Sequence, residues 1–369
     1  MREERAFWLA ISLLPGITAK NARRLRAHFP DASSIWKASG GQLSEALGWG
    51  PERMEGLLAK RQQLDPPALL ARVERAGAWV QSMADPEYPR QLTELFDPPI
   101  VLYGWGAPLD LRRRRLAIVG SRRMTGYGRQ VLMDFMADFS KAELAIVSGL
   151  ARGIDGQAHR SALENGLLTW AVLGSGFSHI YPREHRQLAM DLIDKGGTII
   201  SEYWPEAEPL AYHFPARNRI IAALAEAVLV VEADAKSGSM ITVDHALDLG
   251  REVFAVPGNI TNRFSRGTNL LLKQGAAVAA AATDVLSLWG MNDSQVEKLP
   301  LPTFSPIERH VYQLLADEYQ EFDRLVQQAD LSASELLSVL SSMELKGLAA
   351  VDTSQRYRRS GRYEDPDER

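Results

Sequence analysis

Leu116-Ala-Ile-Val-Gly-Ser-Arg122 decides the fold of this chain, because four consecutive apolar residues lead directly into a turn of small residues. Such an apolar run is typical of a strand that is buried on both faces of a sheet. Gly120 would let a backbone approach a phosphate, Ser121 and the N-terminus of the next helix could donate hydrogen bonds to it, and Arg122 could add a charge-assisted contact. The turn matches neither the dinucleotide fingerprint nor the P-loop, so NAD binding and ATP hydrolysis are not indicated. An ordinary glycine turn is the alternative interpretation.

Five further strand-like runs follow along the chain, and helical segments separate them. Six such strands with intervening helices predict the α/β class, with a Rossmann-like, doubly wound and mostly parallel sheet. Ligands bind outside the carboxyl ends of the strands in such a sheet, so the residues just after each strand are the candidates for a site. The five runs are 145–147, 170–173, 198–200, 228–231 and 253–256.

Residues 1–84 predict an all-helical domain that precedes the sheet. Within it, Pro15-Gly16 separates two segments of helical spacing, which is the order of a helix-hairpin-helix element. Backbone N–H groups at the helix N-terminus of such an element meet a DNA phosphate. Thr18 stands where a second glycine is usual. A purely structural αα-hairpin and a DNA contact therefore both stay open.

The core domain is expected at 85–288, and it begins with a proline-rich connector that contains one short strand, 100–103. Residues 289–305 accumulate Gly, Asn, Asp, Ser and Pro without periodicity and predict a linker. Residues 306–362 predict a winged helix, because three helical segments are followed by two extended ones. A disordered tail is expected at 363–369. The segments of the winged helix are the helices 307–315, 322–329 and 332–346, the C-cap Gly347, and the extended pieces 348–351 and 356–358.

The composition limits the classes of function. The chain has no cysteine, which excludes a disulfide framework, a thiolate nucleophile and a Cys-based zinc site and fits a reducing compartment. A charged start and the lack of a long apolar run lead us to expect a cytoplasmic protein without signal peptide or membrane span. A net charge of −4 argues against indiscriminate coating of nucleic acid, so any such binding must be focal. Arginine clusters such as Arg122-Arg123 could supply a focal contact or be solvated surface.

The residues that follow the strands are mostly glycine, serine and arginine, with the two aromatic side chains of Tyr181 and Phe214. Four strand ends are expected to converge on one cleft. This lining suits an anion and offers almost no general base, which indicates binding rather than catalysis. Single-stranded nucleic acid needs such phosphate contacts and a stacking aromatic, at about 1–3 kcal/mol per stacked base; a core position for Phe214 is the alternative. The predicted contacts are Gly120, Ser121, Arg122, Ser148, Gly149, Gly176, Arg183, Phe214, Arg217, Asn218 and Ser237.

Catalytic and metal sites find little support in the sequence. The seven histidines form no H-E-x-x-H pair and have no cysteine partners, so neither a metal nor a cofactor is expected. Asp155 and His159 are one helical turn apart and could form an acid–base pair. A capping Asp155 at the start of the helix is the simpler interpretation.

The motifs at these strand ends resemble those of the DNA-processing protein A family (DprA, also called Smf), and they stand in the family's order over about half of the chain. The resemblance implies an N-terminal SAM-like helical domain and a C-terminal winged helix on either side of the core. The motifs are Val119-Gly-Ser-Arg122, Ser148-Gly-Leu-Ala-Arg-Gly-Ile-Asp155, Phe214-Pro-Ala-Arg-Asn-Arg-Ile-Ile221, Val230-Val-Glu-Ala233 with Ser237-Gly-Ser239, and Gly250-Arg-Glu-Val-Phe-Ala-Val-Pro-Gly258.

The resemblance also implies a function. A member of this family would bind incoming single-stranded DNA during natural transformation, protect it and help to load the RecA recombinase, without being an enzyme. Arg122 and Arg183 would hold phosphates, and Phe214 and Arg217 would flank a base. The segment from Asn269 to Val278 would lie near a homodimer contact and near the RecA-binding surface. One departure is Ala211, where many relatives have Arg or Lys.

Two functions of other classes stay open. Related Rossmann-like enzymes that release bases from nucleoside monophosphates also place glycines and an arginine around a phosphate, but their catalytic glutamate has no counterpart after Ser237-Gly-Ser-Met-Ile-Thr242. A nucleotide sensor could regulate transcription through the winged helix. Its third helix, 332–346, has Glu335 and Glu344 and only one basic residue, Lys346, which favours a protein contact or weak DNA binding over specific readout.

Overall fold

The computed structural model describes residues 1–291, 304–316, 319–346, 348–352 and 355–359. The chain divides into two compact units, Met1–Trp289 and Gly290–Arg369. Most of the predicted linker, the predicted C-cap Gly347 and the predicted tail 363–369 lie outside the described residues. Within the described residues, no helix combines the length and the apolar character that crossing a membrane requires.

Six helices form the first part of the larger unit. Four of them begin at a Thr, Asp or Ser whose side chain accepts a hydrogen bond from a backbone N–H of the first turn, which explains where these helices start. Their inner faces bury Trp8, Leu9 and Leu25. The helices are α1 (Arg2–Ser12), α2 (Ala19–His28), α3 (Ala32–Lys37), α4 (Gly40–Leu47), α5 (Pro51–Gln62) and α6 (Pro66–Arg75).

The predicted hairpin at Pro15-Gly16 connects α1 and α2. Gly16 has a φ of +76°, and its carbonyl oxygen accepts hydrogen bonds from Asn21 Nδ2 at 2.9 Å and from Arg53 Nη2 at 3.4 Å. The Arg53 guanidinium also lies over the Trp49 ring, 3.8 Å from its centroid. These contacts account for a structural hairpin, and its contact with DNA stays a prediction.

The core is a nine-stranded sheet with the order β1-β2-β6-β5-β4-β3-β7-β8-β9. The pairings from β6 through β9 in this order are parallel, whereas β1 and β2 are antiparallel to their neighbours. All six predicted strands are present, and the predicted class, Rossmann-like and mostly parallel, is confirmed. The strands are β1 (Ala78–Ser82), β2 (Val101–Gly106), β3 (Arg115–Val119), β4 (Ala145–Ser148), β5 (Leu168–Val172), β6 (Thr198–Ser201), β7 (Ala227–Val230), β8 (Glu252–Ala255) and β9 (Ala277–Val278).

Seven helices follow the strands of the core and pack on the sheet. Strands β3, β4, β6 and β7 have every residue buried, which is the reason for their continuous apolar sequences. Since β1 pairs with β2, the sheet begins at Ala78, and the predicted domain division at residue 84 stays a prediction. The helices are α7 (Gly126–Phe139), α8 (Ile154–Glu164), α9 (Arg186–Asp194), α10 (His213–Leu224), α11 (Ser239–Asp248), α12 (Arg266–Lys273) and α13 (Ala282–Leu286).

The smaller unit is a winged helix, as predicted. Its helices α14 and α16 begin with capping boxes, Ser305 with Glu308 and Ser332 with Glu335. They pack with α15 around Leu336. A three-stranded sheet of order β10-β12-β11 completes the unit. The elements are α14 (Pro306–Leu314), β10 (Gln320–Glu321), α15 (Phe322–Ala329), α16 (Ala333–Leu345), β11 (Ala349–Val351) and β12 (Arg356–Arg359).

Candidate functional site

A groove of about 450 Å³ lies at the carboxyl ends of the central strands. Such a position is where open α/β sheets bind their ligands. The groove brings together seven of the eleven predicted contacts, which come from the turns after β3 and β7 and from the first turns of α10. These seven residues are Gly120, Ser121, Arg122, Phe214, Arg217, Asn218 and Ser237.

The Gly120-Ser121-Arg122 turn is held by its own polar groups. The Ser121 N–H donates to the carbonyl oxygen of Glu232 at 2.6 Å, and the Ser121 hydroxyl donates to the carbonyl oxygen of Arg123 at 3.1 Å. A Cβ added at Gly120 would lie 2.7 Å from the same Glu232 oxygen. Glycine is therefore required here by the close approach of the neighbouring chain. The Ser121 hydroxyl, which we expected to bind a phosphate, already has a partner inside the protein.

The N-terminus of α7 is occupied by a carboxylate. Glu232 is buried, and its side chain accepts hydrogen bonds from the backbone N–H of Thr125 at 2.9 Å and from the Thr125 hydroxyl. A negative charge is stabilised at this end of a helix by the helix dipole and the unpaired N–H groups. This corrects the expectation that the start of α7 binds a phosphate, because Glu232 takes that place. Of the turn's three residues, Arg122 is the one that offers a charged side chain to the exterior.

Arg122 and Phe214 form the polar and aromatic rim of the groove. The Arg122 side chain is exposed, and its guanidinium carbon lies 5.9 Å from the centroid of the half-buried Phe214 ring. This is within the range of a cation–π contact. Tyr181 packs against the same ring, with centroids 5.3 Å apart, and is 40% exposed. Phe214 is therefore neither a core residue nor fully exposed, and it presents an aromatic surface at the rim.

Arg217 lies at the floor of the groove. It is only 3% exposed, and its Nη1 group donates to the carbonyl oxygens of Gly149, at 2.8 Å, and Val172. Burial lowers the pKa of Arg217 to about 10, although the nearby Asp155 carboxylate raises it. The guanidinium therefore stays charged at neutral pH. Its donors on Nη1 bind backbone carbonyls and so support the floor, while the contact of Arg217 with a base stays a prediction.

Asp155 does not cap a helix, contrary to expectation. Helix α8 begins at Ile154 after Gly153, and the Asp155 carboxylate accepts a hydrogen bond from the backbone N–H of Gly149 at 3.2 Å. Burial raises the pKa of Asp155, and the positive charge of Arg217 opposes that change. His159 is fully buried, its Nδ1 lies 2.7 Å from Thr169 Oγ1, and burial lowers its pKa to about 3. The two side chains thus have separate partners and do not make the acid–base pair.

Three predicted contacts have structural roles away from the groove surface. The Ser148 hydroxyl is buried and donates to the carbonyl oxygen of Ile118 at 2.6 Å. A Cβ added at Gly149 would lie 2.8 Å from Arg217 Nη2, and one added at Gly176 would lie 2.2 Å from the carbonyl oxygen of Trp204. These residues are small because protein atoms approach them. Their contact with a ligand stays a prediction.

Arg183 lies in a neighbouring cleft instead of the groove. This second cleft has a volume of about 870 Å³, and its lining includes Tyr181. Since the Tyr181 ring contacts Phe214, the aromatic pair separates the two cavities. Arg122 and Arg183 were predicted to converge on one edge. In the structure they lie on either side of this aromatic pair.

Four further cationic or aromatic residues line the groove: Arg123, which the sequence offered only as part of an arginine cluster, and Lys236, Arg263 and Phe264, which were not predicted. The Arg123 guanidinium lies 6.0 Å from the centroid of the Phe264 ring. Arg263 pairs with Asp234 at 2.5 Å, and its hydrogen bond lowers the pKa of that carboxyl. Arg123 stands next to Arg122 in the sequence, and Lys236 next to Ser237. Their position beside predicted contacts could have identified them as groove residues. Arg263 and Phe264 follow β8 in a short 3-10 turn that has no pattern of its own.

The segment from Asn269 to Val278 lies at one edge of the sheet. The Asn269 amide donates to the carbonyl oxygen of Gly258 at 2.9 Å and accepts from its N–H at 3.3 Å, so this side chain holds the loop after β8. Val278 is on β9, the last strand in the order, and is 52% exposed. Leu270 and Ile260 are also exposed apolar side chains.

Comparison with known proteins gives consistent matches. Residues 79–290 match the family described as DNA recombination-mediator protein A, and residues 295–352 match the DprA winged helix domain. Protein Smf from Synechocystis sp. is 32% identical over 395 aligned positions, which cover 96% of this chain and 99% of that protein.

Two solved structures share the fold at more than 30% identity. The X-ray structure of DNA processing protein A from Streptococcus pneumoniae has a TM-score of 0.67 and 32% identity, covering 77% of this chain and 97% of that one. A structure of DNA processing protein A from Helicobacter pylori, described as giving insight into a unique single-stranded DNA binding mode, has a TM-score of 0.51 and 31% identity. It covers 57% of this chain and 95% of that one.

Proposed function

The chain belongs to the DprA/Smf family of DNA recombination-mediator proteins, and from this premise we propose that its groove binds single-stranded DNA. The proposed role is that of a cytoplasmic mediator in natural transformation and recombination, which protects the incoming strand and helps to load RecA. The Helicobacter pylori relative, described by its single-stranded DNA binding mode, supports the choice of ligand.

The observation that supports the proposal most strongly is the pairing of Arg122 with Phe214 at the rim. A single strand is held by positive charge along its backbone and by aromatic rings on which its bases stack. An exposed guanidinium 5.9 Å from an aromatic centroid provides both in one place. Arg122 would contact a phosphate while a base stacks on Phe214.

Further cations make the groove an electropositive strip on a protein of net charge −4. Arg123 and Lys236 are exposed groove residues, and neither has a carboxylate within 4 Å in the part of the chain that is described. Each phosphate that such a side chain neutralises releases counterions from the nucleic acid. The binding would therefore be focal and sensitive to salt.

The carboxylates near the groove are engaged in the protein's own contacts. This favours binding of a DNA strand, rather than its cleavage, as the function of the groove. Asp155 accepts from Gly149 beside the buried Arg217, Asp234 pairs with Arg263, and Glu232 accepts from Thr125. A general base needs to reach the proton that it removes. A carboxylate with these partners would have to exchange them first.

A homodimer through the β9 edge is part of the proposal. An edge strand presents unpaired N–H and C=O groups to any strand that can pair with it, and exposed apolar side chains mark interaction surfaces. Here the edge strand carries the exposed Val278, and Leu270 of α12 is exposed nearby in sequence. We propose the RecA contact in the same region, from Asn269 to Val278, as the family resemblance implies.

A competition assay tests the choice of ligand. A labelled single-stranded oligonucleotide is bound to the full chain and displaced with unlabelled single-stranded DNA or with duplex DNA of the same sequence. We expect the single strand to compete at a much lower concentration, because its bases can stack on Phe214 and those of a duplex cannot. Equal competition by both would contradict the proposal.

A further inference from the structure

The second cleft, of about 870 Å³, lies beside the groove and beyond the Tyr181–Phe214 contact. Its volume is in the range of pockets that enclose small ligands, roughly 300–1,000 Å³. Its walls come from β2, from the loops that follow β5 and β6, and from α9. It is therefore a cavity of ligand size next to the proposed DNA site.

The cleft has an aromatic wall. The half-buried Trp105 ring lies 6.2 Å from the Phe177 ring, centroid to centroid, and Tyr181 completes the wall on the side of the groove. The Trp105 indole N–H donates no hydrogen bond to the described residues. Together with Phe214, these rings form a series of aromatic surfaces that begins in the groove and continues into the cleft.

The cleft also has an excess of positive charge. Arg183 and Arg186 are both exposed at its lining, and among the described residues neither has a carboxylate within 4 Å. Glu208 is the opposing charge in the lining, and His179 can add a hydrogen-bond donor. Two arginines against one glutamate favour an anionic occupant.

We propose that the second cleft holds the nucleotides that follow those in the groove, so that one DNA strand crosses over the Tyr181–Phe214 pair. This inference rests on the proposed function and adds a second subsite to it. Arg183 and Arg186 bind phosphates beyond the crossing, and a base stacks on Trp105. Two observations favour the DNA strand over an apolar partner as the occupant of the cleft. The aromatic surfaces continue from the groove into the cleft, and the arginines at its lining are exposed.

The test is a titration of the full chain with oligodeoxythymidylates of graded length, from roughly four to sixteen nucleotides. Affinity should rise with length and then rise again once the strand is long enough to reach the cleft. Arg186→Ala and Trp105→Ala should leave binding of the shortest oligonucleotides unchanged and weaken binding of the longest by about tenfold. Arg122→Ala should weaken binding at every length.

Two controls keep the result interpretable. Arg129→Ala removes an exposed arginine of α7 that lines neither cavity and should change nothing. Trp105→Phe keeps a stacking surface and should retain most of the affinity for long strands, which separates lost stacking from a folding defect.

The possible failures are distinguishable. If Arg186→Ala has no effect at any length, or the same effect at all lengths, the second subsite is overturned while the groove proposal stands. If the unmodified protein binds none of the oligonucleotides, both proposals are overturned.

Discussion

Arg122 and Arg217 line the same groove, but their surroundings give them different roles. Arg122 is exposed beside the Phe214 ring, whereas Arg217 is buried and donates to the carbonyl oxygens of Gly149 and Val172. A buried guanidinium must be compensated, and here backbone carbonyls accept its hydrogen bonds while the nearby Asp155 carboxylate supplies an opposite charge. Arg217 therefore stabilises the floor of the groove, whereas Arg122 is exposed at its rim.

Arg217→Ala should lower the free energy of unfolding by about 3–5 kcal/mol, because it removes the donor to two buried carbonyl oxygens and takes the nearby positive charge away from the buried Asp155 carboxylate. Urea denaturation measures this change. Adding Asp155→Asn to the variant should restore part of the loss, since the unpaired charge is then gone. Arg129→Ala, at an exposed position of α7, should stay within about 0.5 kcal/mol of the parent protein. An unchanged denaturation midpoint for Arg217→Ala would show that the floor does not depend on this side chain.

The sequence indicated two of the groove residues, the exposed Arg122 and the half-buried Phe214, but it was a poor guide to the small residues. Arg122 and Phe214 could be predicted because they lie in segments that follow strands, where an open α/β sheet binds its ligands. Ser148 and Gly176 have the same sequence signature as a phosphate contact, but protein atoms require their small size. Only the packing around a glycine distinguishes these two causes, and packing between distant segments is not readable from local sequence.

The start of helix α7 differs from the usual nucleotide-binding arrangement at the Gly120-Ser121-Arg122 turn. In the usual arrangement the helix N-terminus points at the phosphate. Here the buried carboxylate of Glu232, from the turn after β7, accepts from Thr125 at that point. A dinucleotide phosphate and this carboxylate would compete for the same N–H groups.

Glu232→Gln should lower the free energy of unfolding by about 1–2 kcal/mol, because a neutral amide loses the charge-assisted bonds to Thr125 and the interaction with the helix dipole. Thermal and urea denaturation both measure this loss. An exposed carboxylate in α16, changed by Glu344→Gln, is the matched control. Equal stability of Glu232→Gln and the parent protein would contradict the assigned role of the carboxylate.

Strands β3 to β8 were predicted because their continuous apolar sequences reflect burial on both faces. The strands that were missed are short or lie at the edges of sheets. Strands β9 and β10 have two residues each, which is too short to show an alternation of apolar and polar residues. They are strands because β9 pairs with β8 and β10 pairs with β12. Strand β1 has a single β-branched residue, Val80, and is a strand because it pairs with β2.

The exposed edge of the nine-stranded sheet is where we expect a second copy of the chain. Val278→Asp should convert the dimer to a monomer, because a charge on the edge strand disfavours pairing with another chain. Light scattering after size-exclusion chromatography gives the mass. Met133→Asp changes an exposed apolar residue of α7, and its mass should equal that of the parent. A monomeric parent protein, or a Val278→Asp variant that stays dimeric, would contradict a contact at this edge.

The most direct test of the central claim is the salt dependence of single-stranded DNA binding by Arg122→Ala. If Arg122 holds a phosphate, the variant should bind more weakly, and the slope of log affinity against log salt should fall by about one counterion. Arg129→Ala is the matched control and should keep both the affinity and the slope of the parent. An Arg122→Ala variant with unchanged affinity and unchanged slope would contradict the claim that this turn holds a DNA strand.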